Sequence, residues 1–372
     1  MDAKPRDELP PDARTLPARY YNDPAHHLAE RERFFARMWA CIGREEDVAR
    51  PGDAVVREVA GESLIVVRGE DDEIRAFYNV CRHRGTRLLA DDAACSSRRI
   101  QCPYHAWTYD LRGRLVAAPR MDEGPRFRKA DYPLKPAAVG RWDGHLFLNL
   151  AEHPAPLSDH LGELPDRFRP WGMGGLRRAH RLVYDVAANW KLILQNFSEC
   201  DHCPIIHPAL QQLSHHLSGE NAPSTSSYLG GRMEFREGVE TLAIGGKARR
   251  AILPGVLGDD RHHVYFYVLL PNLLLSLHPD YMLTHLLRPV ACDRTEIVCD
   301  FHVHPDELAR PDLDLSDVVA FWDQTNRQDW RVSELTQQGI NSRAYSPGPY
   351  SDREDLLYAL DRIIDAGDQG RS

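Results

Sequence analysis

Two short segments restrict this chain more than anything else in it: Cys81-x-His83 and Cys102-x-x-His105, with eighteen residues between them. Each segment offers one thiolate and one imidazole, so the fold has to bring two separate loops together around one metal centre. Two thiolates and two imidazoles fit either a tetrahedral zinc ion or a [2Fe–2S] cluster whose first iron takes the cysteines and second iron the histidines. Zinc fingers usually pair Cys with Cys and His with His along the chain. Mixed pairs let each loop touch both irons, which favours the cluster. Gly85, just after the first pair, lets backbone amides approach the sulfurs.

The segments sit in a region of β character. "DAVVREVA", "ESLIVVRG", "EIRAFYNV" and "GHLFLNL" are short, β-branched and separated by Gly or acidic turns, the pattern of a small all-β module over residues 52–150. Before it, Asp23 as N-cap with Pro24 at the first helical position predicts a helix, with Leu28, Phe34, Phe35 and Met38 on its apolar side. After it, Pro-rich "EHPAPLSDHLGELP" reads as a linker. Beyond the linker, "RLVYDVA" and "HVYFYVLLPNLLLSLHP" read as strands, the second as one buried strand. "NWKLILQNFSEC", "SDVVAFWDQTNRQDWRVSELTQQGI" and "SDREDLLYALDRIIDAG" read as helices. The last has Leu356, Leu357, Leu360, Ile363 and Ile364 on one side and Gly367 past its end. The expected fold class is α+β: a mobile tail (1–18), an N-terminal helical segment (19–44) packed on the larger domain, an all-β domain (45–155), and a larger α+β domain (156–372) with an antiparallel sheet flanked by helices.

Composition narrows the function. The formal charge of −9 argues against a nucleic-acid binder, and mildly favours a cationic small substrate. No apolar run reaches the ~18 residues that span a bilayer, so no membrane role is expected. The polar, Pro-rich start lacks the apolar stretch of a signal peptide, which points to the cytoplasm. The eight cysteines (41, 81, 95, 102, 200, 203, 292 and 299) are scattered along a long chain. No disulfide framework is expected from them, and Cys95 reads as a loop thiol.

A second dense constellation lies in "NFSECDHCPIIHP" at 196–208. On a helix, Asn196, Glu199 and His202 share one face. Pro204 would then break that helix and turn His207 back toward His202. Two imidazoles plus a carboxylate from elsewhere make the facial triad of non-haem Fe(II) sites. Asn196 is expected beside the ligands rather than among them, and Asp201 as a solvated or outer group. Cys200 and Cys203 fall off the ligand face and are expected to pack as small hydrophobes; a zinc site of both cysteines and both histidines is the alternative. The long helix near the C-terminus offers Asp323 and Asp329. They lie six apart, so one helix cannot aim both at one iron.

"CRHRG…CPYHAWTYDLRG" resembles the Rieske motif of the Rieske non-haem iron oxygenases, α-subunit type, although the interval between its halves is slightly longer than most members show. The resemblance runs from about Leu16 to Tyr350. It implies that Cys81, His83, Cys102 and His105 hold a [2Fe–2S] cluster, and that His202 and His207 hold a mononuclear iron. Glu199 becomes the bridge that carries electrons from a cluster in the neighbouring subunit, where most members have Asp. The acid ten residues before the Gly of a "Q-x-G" segment becomes the third ligand, which is Asp329 here, with Asp323 as runner-up. Also implied are O₂ as co-substrate, a homotrimer, and a separate flavin/iron–sulfur reductase fed by NAD(P)H, as no G-x-G-x-x-G fingerprint is present.

"TLPARYY", "NWKLILQNFSEC", "PNLLLSLHPDYML" and "NRQDW" are similar to the branch that oxidises quaternary or tertiary methylamines such as glycine betaine, choline, carnitine or stachydrine. In that branch a methyl group is hydroxylated and lost as formaldehyde, giving N-demethylation or C–N cleavage. Aromatic faces would hold such a cation. The candidates are Tyr265, Phe266, Tyr267, Tyr281, Trp322 and Trp330, with Tyr265, Tyr267, Tyr281 and Trp322 as the expected lining. An aromatic-ring or aryl-ether oxygenase is the alternative within the family. A Rieske electron carrier or zinc-binding protein without oxygen chemistry is the alternative outside it.

Overall fold

The computed structural model describes residues 9–90 and 95–368. The first eight residues of the expected tail lie outside the described residues, as does the side chain of Cys95. The chain forms two compact units. One spans Phe35–Asp159; the other joins the segment up to Phe34 with everything from His160 onward.

The Phe35–Asp159 unit is built on a seven-stranded antiparallel sheet. Its spatial order is Ala40–Arg44, His145–Asn149, Pro136–Trp142, Ile74–Tyr78, Glu62–Arg68, Asp53–Val59 and Cys95–Ser96. A second, three-stranded sheet comprises Arg99–Gln101, Thr108–Asp110 and Leu115–Ala117. The strand Glu62–Arg68 explains the apolar run "LIVV", because both of its faces are covered. Leu64 and Val66 enter one core with Ile42, Val55 and Leu148. Ile65 and Val67 enter the other with Phe77, Trp107 and Tyr109. Cys81 and Cys102 belong to this second core, so the metal loops stand on packed side chains.

The other unit carries a seven-stranded antiparallel sheet ordered Arg177–Val186, Arg294–Val303, Met282–Ala291, Leu273–Leu277, His263–Leu269, Tyr228–Glu234 and Glu220–Asn221. "HVYFYVLLPNLLLSLHP" is therefore two strands, with Leu269 opposite Leu273 across a turn that contains the cis Leu270–Pro271 bond. A continuous apolar run hides such a turn, because the turn residues are buried as well. The helix Ser316–Ile340 has the ends its pattern predicts, and buries Val318, Phe321, Trp322, Thr325, Asn326 and Trp330. Tyr184 Oη, from the first strand of the sheet, donates to Asp323 at 2.9 Å, and Asn326 Nδ2 donates to Tyr184 Oη at 3.3 Å.

The helix Pro24–Glu30 is capped as expected, with Asp23 accepting from the Ala25 amide at 2.8 Å. Its inward side differs from the expectation: His26, His27 and Glu30 are buried and Leu28 is exposed. The reason is a buried ion pair, in which Lys191 Nζ donates to Glu30 Oε1 at 2.6 Å and Trp190 Nε1 donates to Oε2 at 3.1 Å. A π-turn at Arg31–Phe35 then brings Phe34 and Phe35 inward. The last helix, Asp355–Asp368, includes Gly367 instead of stopping before it.

Candidate metal centres

Each Cys/His pair of the first constellation sits in a tight turn. Gly85 N donates to Cys81 O at 3.0 Å, and Ala106 N donates to Cys102 O at 3.1 Å. Gly85 adopts φ +77°, a left-handed conformation that glycine takes at no steric cost. The cysteines are buried and the His83 and His105 rings lie nearer the surface, 4.8 Å apart between centroids. His83 stacks on Trp107 with rings 10° from parallel. His105 Nδ1 is buried and meets no hydrogen-bonding group among the described residues, as a nitrogen directed at a metal would. Tyr109 Oη lies 3.5 Å from Cys81 Sγ and accepts from Arg82 N at 3.0 Å. A single zinc ion would need all four donors to converge on one point. Among the described residues only one set of three or more His, Cys, Asp or Glu donors does so, and it is not this one. The spread suits a two-iron cluster.

That convergent set is His202, His207 and Asp329, whose ligand atoms all lie within 4.8 Å of one another. Asp329 Oδ1 is 2.7 Å from His207 Nε2 and 3.4 Å from His202 Nε2. The outer nitrogens are held elsewhere: His202 Nδ1 by Glu199 Oε1, and His207 Nδ1 by Gln328 Oε1 at 2.8 Å. Outer partners of this kind fix each ring and leave the Nε2 atoms for a metal. Burial pulls the His202 imidazole down, but its hydrogen bonds to Asp329 and Glu199 outweigh burial and hold it up at about 9. Burial pushes the Asp329 carboxyl up, and the two histidines override it, leaving it below the usual range. Three like-placed donors sharing protons are a site shaped for a cation.

The local backbone differs from the single helix expected. The helix Trp190–Phe197 ends before Glu199, with Ser198 Oγ donating back to Leu194 O at 2.6 Å. Glu199 and His202 lie in the loop that follows, and the Glu199 carboxylate accepts from the amides of Asp201 and His202. Pro204 opens the next short helix, Cys203–Ile206, rather than closing the previous one. Cys200 and Cys203 are not packed as free thiols; they are bonded to each other. Joined in this way, neither is the thiolate that the zinc alternative required of both. Asp201 pairs with Arg353 at 2.7 Å. Asp323 is held by Tyr184 and Arg327, away from the triad. Gln328 escaped the sequence reading; its only signal there is its place next to Asp329.

Residues 173–366 match the ring-hydroxylating alpha-subunit catalytic domain, and residues 38–133 match the Rieske [2Fe–2S] domain. The chain belongs to the Rieske oxygenase alpha subunits. The glycine betaine monooxygenase oxygenase subunit of Chromohalobacter salexigens is 32% identical over 365 residues, spanning 91% of this chain and 82% of the relative. The carnitine monooxygenase oxygenase subunit of Escherichia coli K12 is 30% identical over 353 residues, spanning 90% and 87%. The crystal structure of the quaternary ammonium Rieske monooxygenase CntA in complex with L-carnitine superposes with a TM-score of 0.78 at 25% identity, covering 98% of this chain and 100% of that one. This Rieske oxygenase is thus an oxidoreductase whose two domains are those that carry a Rieske cluster and a mononuclear iron. No helix among its described residues is long and apolar enough to cross a membrane.

The triad of this oxygenase opens on a cavity, partly open to solvent, that Asn196 and Glu199 also line. Its aromatic wall is Phe197, Phe266 and Trp322. Phe197 and Phe266 meet edge to face at 5.7 Å, and Phe266 and Trp322 at 6.3 Å. Of the four expected lining residues only Trp322 is present. Successive strand residues point to opposite faces, so Phe266 faces the cavity while Tyr265 and Tyr267 pack behind the sheet against Phe168. Tyr281 is fully buried, donating to Leu242 O at 2.7 Å and accepting from Trp322 Nε1 at 2.6 Å. It supports the wall from behind.

Proposed function

We propose that this chain is the terminal oxygenase component of a monooxygenase acting on a quaternary ammonium or tertiary methylamine of the betaine or carnitine kind. The observation that carries the reading is the three-ring wall beside the triad. A permanent cation has no proton to donate, and aromatic faces hold it with about 0.5–2 kcal/mol each. Arg232 and Arg353 also line the cavity, but each is paired with carboxylates (Glu220 and Asp259, and Asp201), so they leave little net positive field. The named activities of the glycine betaine and carnitine relatives support the same substrate class.

In this reading Cys81, His83, Cys102 and His105 hold the cluster, and His202, His207 and Asp329 hold the iron. When bound, the two centres supply electron transfer and the activation of O₂. The protein's own part is to seat the cation on Phe197, Phe266 and Trp322, to fix the ligand rings through Glu199 and Gln328, and to link His202 through Glu199 to the cluster of a neighbouring subunit. That link makes a homotrimer the expected assembly. A separate reductase draws on NAD(P)H, and the cytoplasm is the expected location. A hydroxylated N-methyl group is a carbinolamine, which collapses to formaldehyde and an amine with one methyl fewer.

Formaldehyde release, measured with a Rieske-family reductase across glycine betaine, carnitine, choline, stachydrine and aromatic acids, tests this reading. Release with at least one ammonium substrate is expected. Turnover of an aromatic acid alone would refute the substrate class. Phe266→Ala is expected to raise KM, while Tyr267→Phe on the far face leaves it unchanged. Glu199→Gln is expected to slow single turnover from the reduced cluster while both metal centres stay loaded.

A further inference from the structure

The mononuclear site contains a pair of side chains that its ligand set does not use. Cys200 and Cys203 form a disulfide, with Cα atoms 5.0 Å apart. The residues it encloses are Asp201 and His202, so it spans a residue of the triad. Loop-closure stabilisation is smallest for so short a ring, and the turn already has its own bonds. Cys203 N donates to Cys200 O at 3.1 Å, and His207 N donates to Cys203 O at 2.9 Å. The consequence of the bond is therefore chemical more than structural.

Cys203 Sγ lies 3.8 Å from His202 Nε2, and that nitrogen faces Asp329 across 3.4 Å. Both cysteines line the cavity, Cys203 buried and Cys200 partly exposed, so Cys200 is the sulfur that a small oxidant or reductant meets first. As a free thiol, Cys203 would offer a soft sulfur donor next to the triad's open positions. It would also be exposed to stepwise oxidation, irreversible past the sulfenic acid. As a disulfide sulfur it is neither a strong ligand nor an easy target. The remaining described cysteines, Cys41, Cys81, Cys102, Cys292 and Cys299, are in no disulfide, so the pair is singular among the described residues.

We propose that Cys200 and Cys203 are a reversible redox-modification site of the iron cavity, oxidised by peroxide from dithiol to disulfide and returned by a small dithiol. Peroxide is what partial reduction of O₂ yields at an oxygenase. One cysteine sulfur attacks the peroxide O–O bond, forming a sulfenic acid and releasing one water. The second sulfur displaces the hydroxyl as another water and forms the S–S bond. Two electrons and two protons leave the cysteines, and the peroxide becomes two waters. Reduction runs through a mixed disulfide, with the dithiol departing as its own disulfide and both protons returned to the cysteines. Oxidation withdraws the Cys203 sulfur from competition for the metal; reduction restores it. The competition part rests on His202 being an iron ligand, and the thiol chemistry does not.

Two measurements on the full-length protein test this. The holoenzyme is treated with a dithiol, then with stoichiometric peroxide, then with a dithiol again, and alkylated and peptide-mapped at each stage. The peptide bearing both cysteines is expected to take two alkyl groups, then none, then two, while Cys41, Cys292 and Cys299 stay constant. Thiols untouched by peroxide, or sulfinic and sulfonic products in place of the disulfide, would overturn the proposal. Next, protein stripped of the mononuclear iron is loaded with cobalt(II). A sulfur-to-cobalt charge-transfer band is expected in the dithiol form and in Cys200→Ser, and absent in the disulfide form and in Cys203→Ser. Cobalt bound without that band in the dithiol form overturns the competing-ligand role. Failure of cobalt to bind in either form would instead refute the ligand set proposed above.

Discussion

Acid should release the mononuclear metal at a pH where an ordinary histidine has no such effect. In the metal-free protein a proton stays on His202 up to about pH 9, because hydrogen bonds to Asp329 and Glu199 outweigh the burial that pulls the other way. A metal that takes Nε2 has to displace this proton. Below pH 9 the apparent affinity therefore falls about tenfold per unit, or about 100-fold between pH 9 and 7. A histidine with an ordinary pKa of about 6.5 gives almost no change over that interval. The stability of the metal-free protein moves in the opposite direction. The folded-state pKa lies above the unfolded one, so the contribution is fully present below about pH 6.5 and is lost as pH rises through about 9. At its full size, two to three units correspond to about 3 kcal/mol. Anaerobic iron(II) or cobalt(II) titrations at three pH values, with urea unfolding of the stripped protein at the same pH values, measure both effects. Affinity that is flat from pH 7 to 9 would refute the proton-sharing triad. Affinity and metal-free stability rising together would refute the sign.

Three further outcomes follow from single contacts. Tyr109→Phe should lower the reduction potential of the Rieske cluster. The Tyr109 oxygen already accepts from Arg82 N, which leaves its proton for Cys81 Sγ at 3.5 Å. Losing a hydrogen bond of ~1 kcal/mol shifts a one-electron couple by about 40 mV, readable by dye-mediated titration with EPR. Gln328→Ala removes the 2.8 Å contact to His207 Nδ1 and should weaken metal binding by about 10- to 100-fold, measured as iron retained after dialysis against a chelator. Arg250→Met should destabilise the catalytic unit by about 3–5 kcal/mol in urea, because it leaves Asp280 and Asp317 buried without their shared guanidinium.

What the sequence made legible was what repeats or sits close together. Period-two strands and the 25-residue helix Ser316–Ile340 appear where their patterns run. The two Cys/His pairs and the two triad histidines are local in the chain, so spacing alone pointed to them. Asp329 lies 122 residues from His207, and choosing it over Asp323 needed the family pattern; in the fold, helical phase turns Asp323 to Tyr184 and Asp329 to the two histidines. The aromatic wall was misread by one residue of strand register, since Tyr265, Phe266 and Tyr267 look alike in composition and differ only in face. The stretch after Phe197 was misread as helix because the Glu199 carboxylate, which accepts from the amides of Asp201 and His202, shapes that loop rather than propensity.

The ion pair between Glu30 and Lys191 has a consequence for how the molecule is made. Its partners are 161 residues apart, and the whole Phe35–Asp159 unit lies between them in the chain. On a ribosome adding about 5–20 residues per second, the first helix emerges some 8–30 s before the lysine that neutralises its glutamate exists. During that wait the intervening unit can complete its own core, since its strands pair only with one another. The opening segment cannot settle, because the surface it docks on has yet to be translated. Synthesis order therefore keeps this short helix waiting while the unit that follows it in the chain folds.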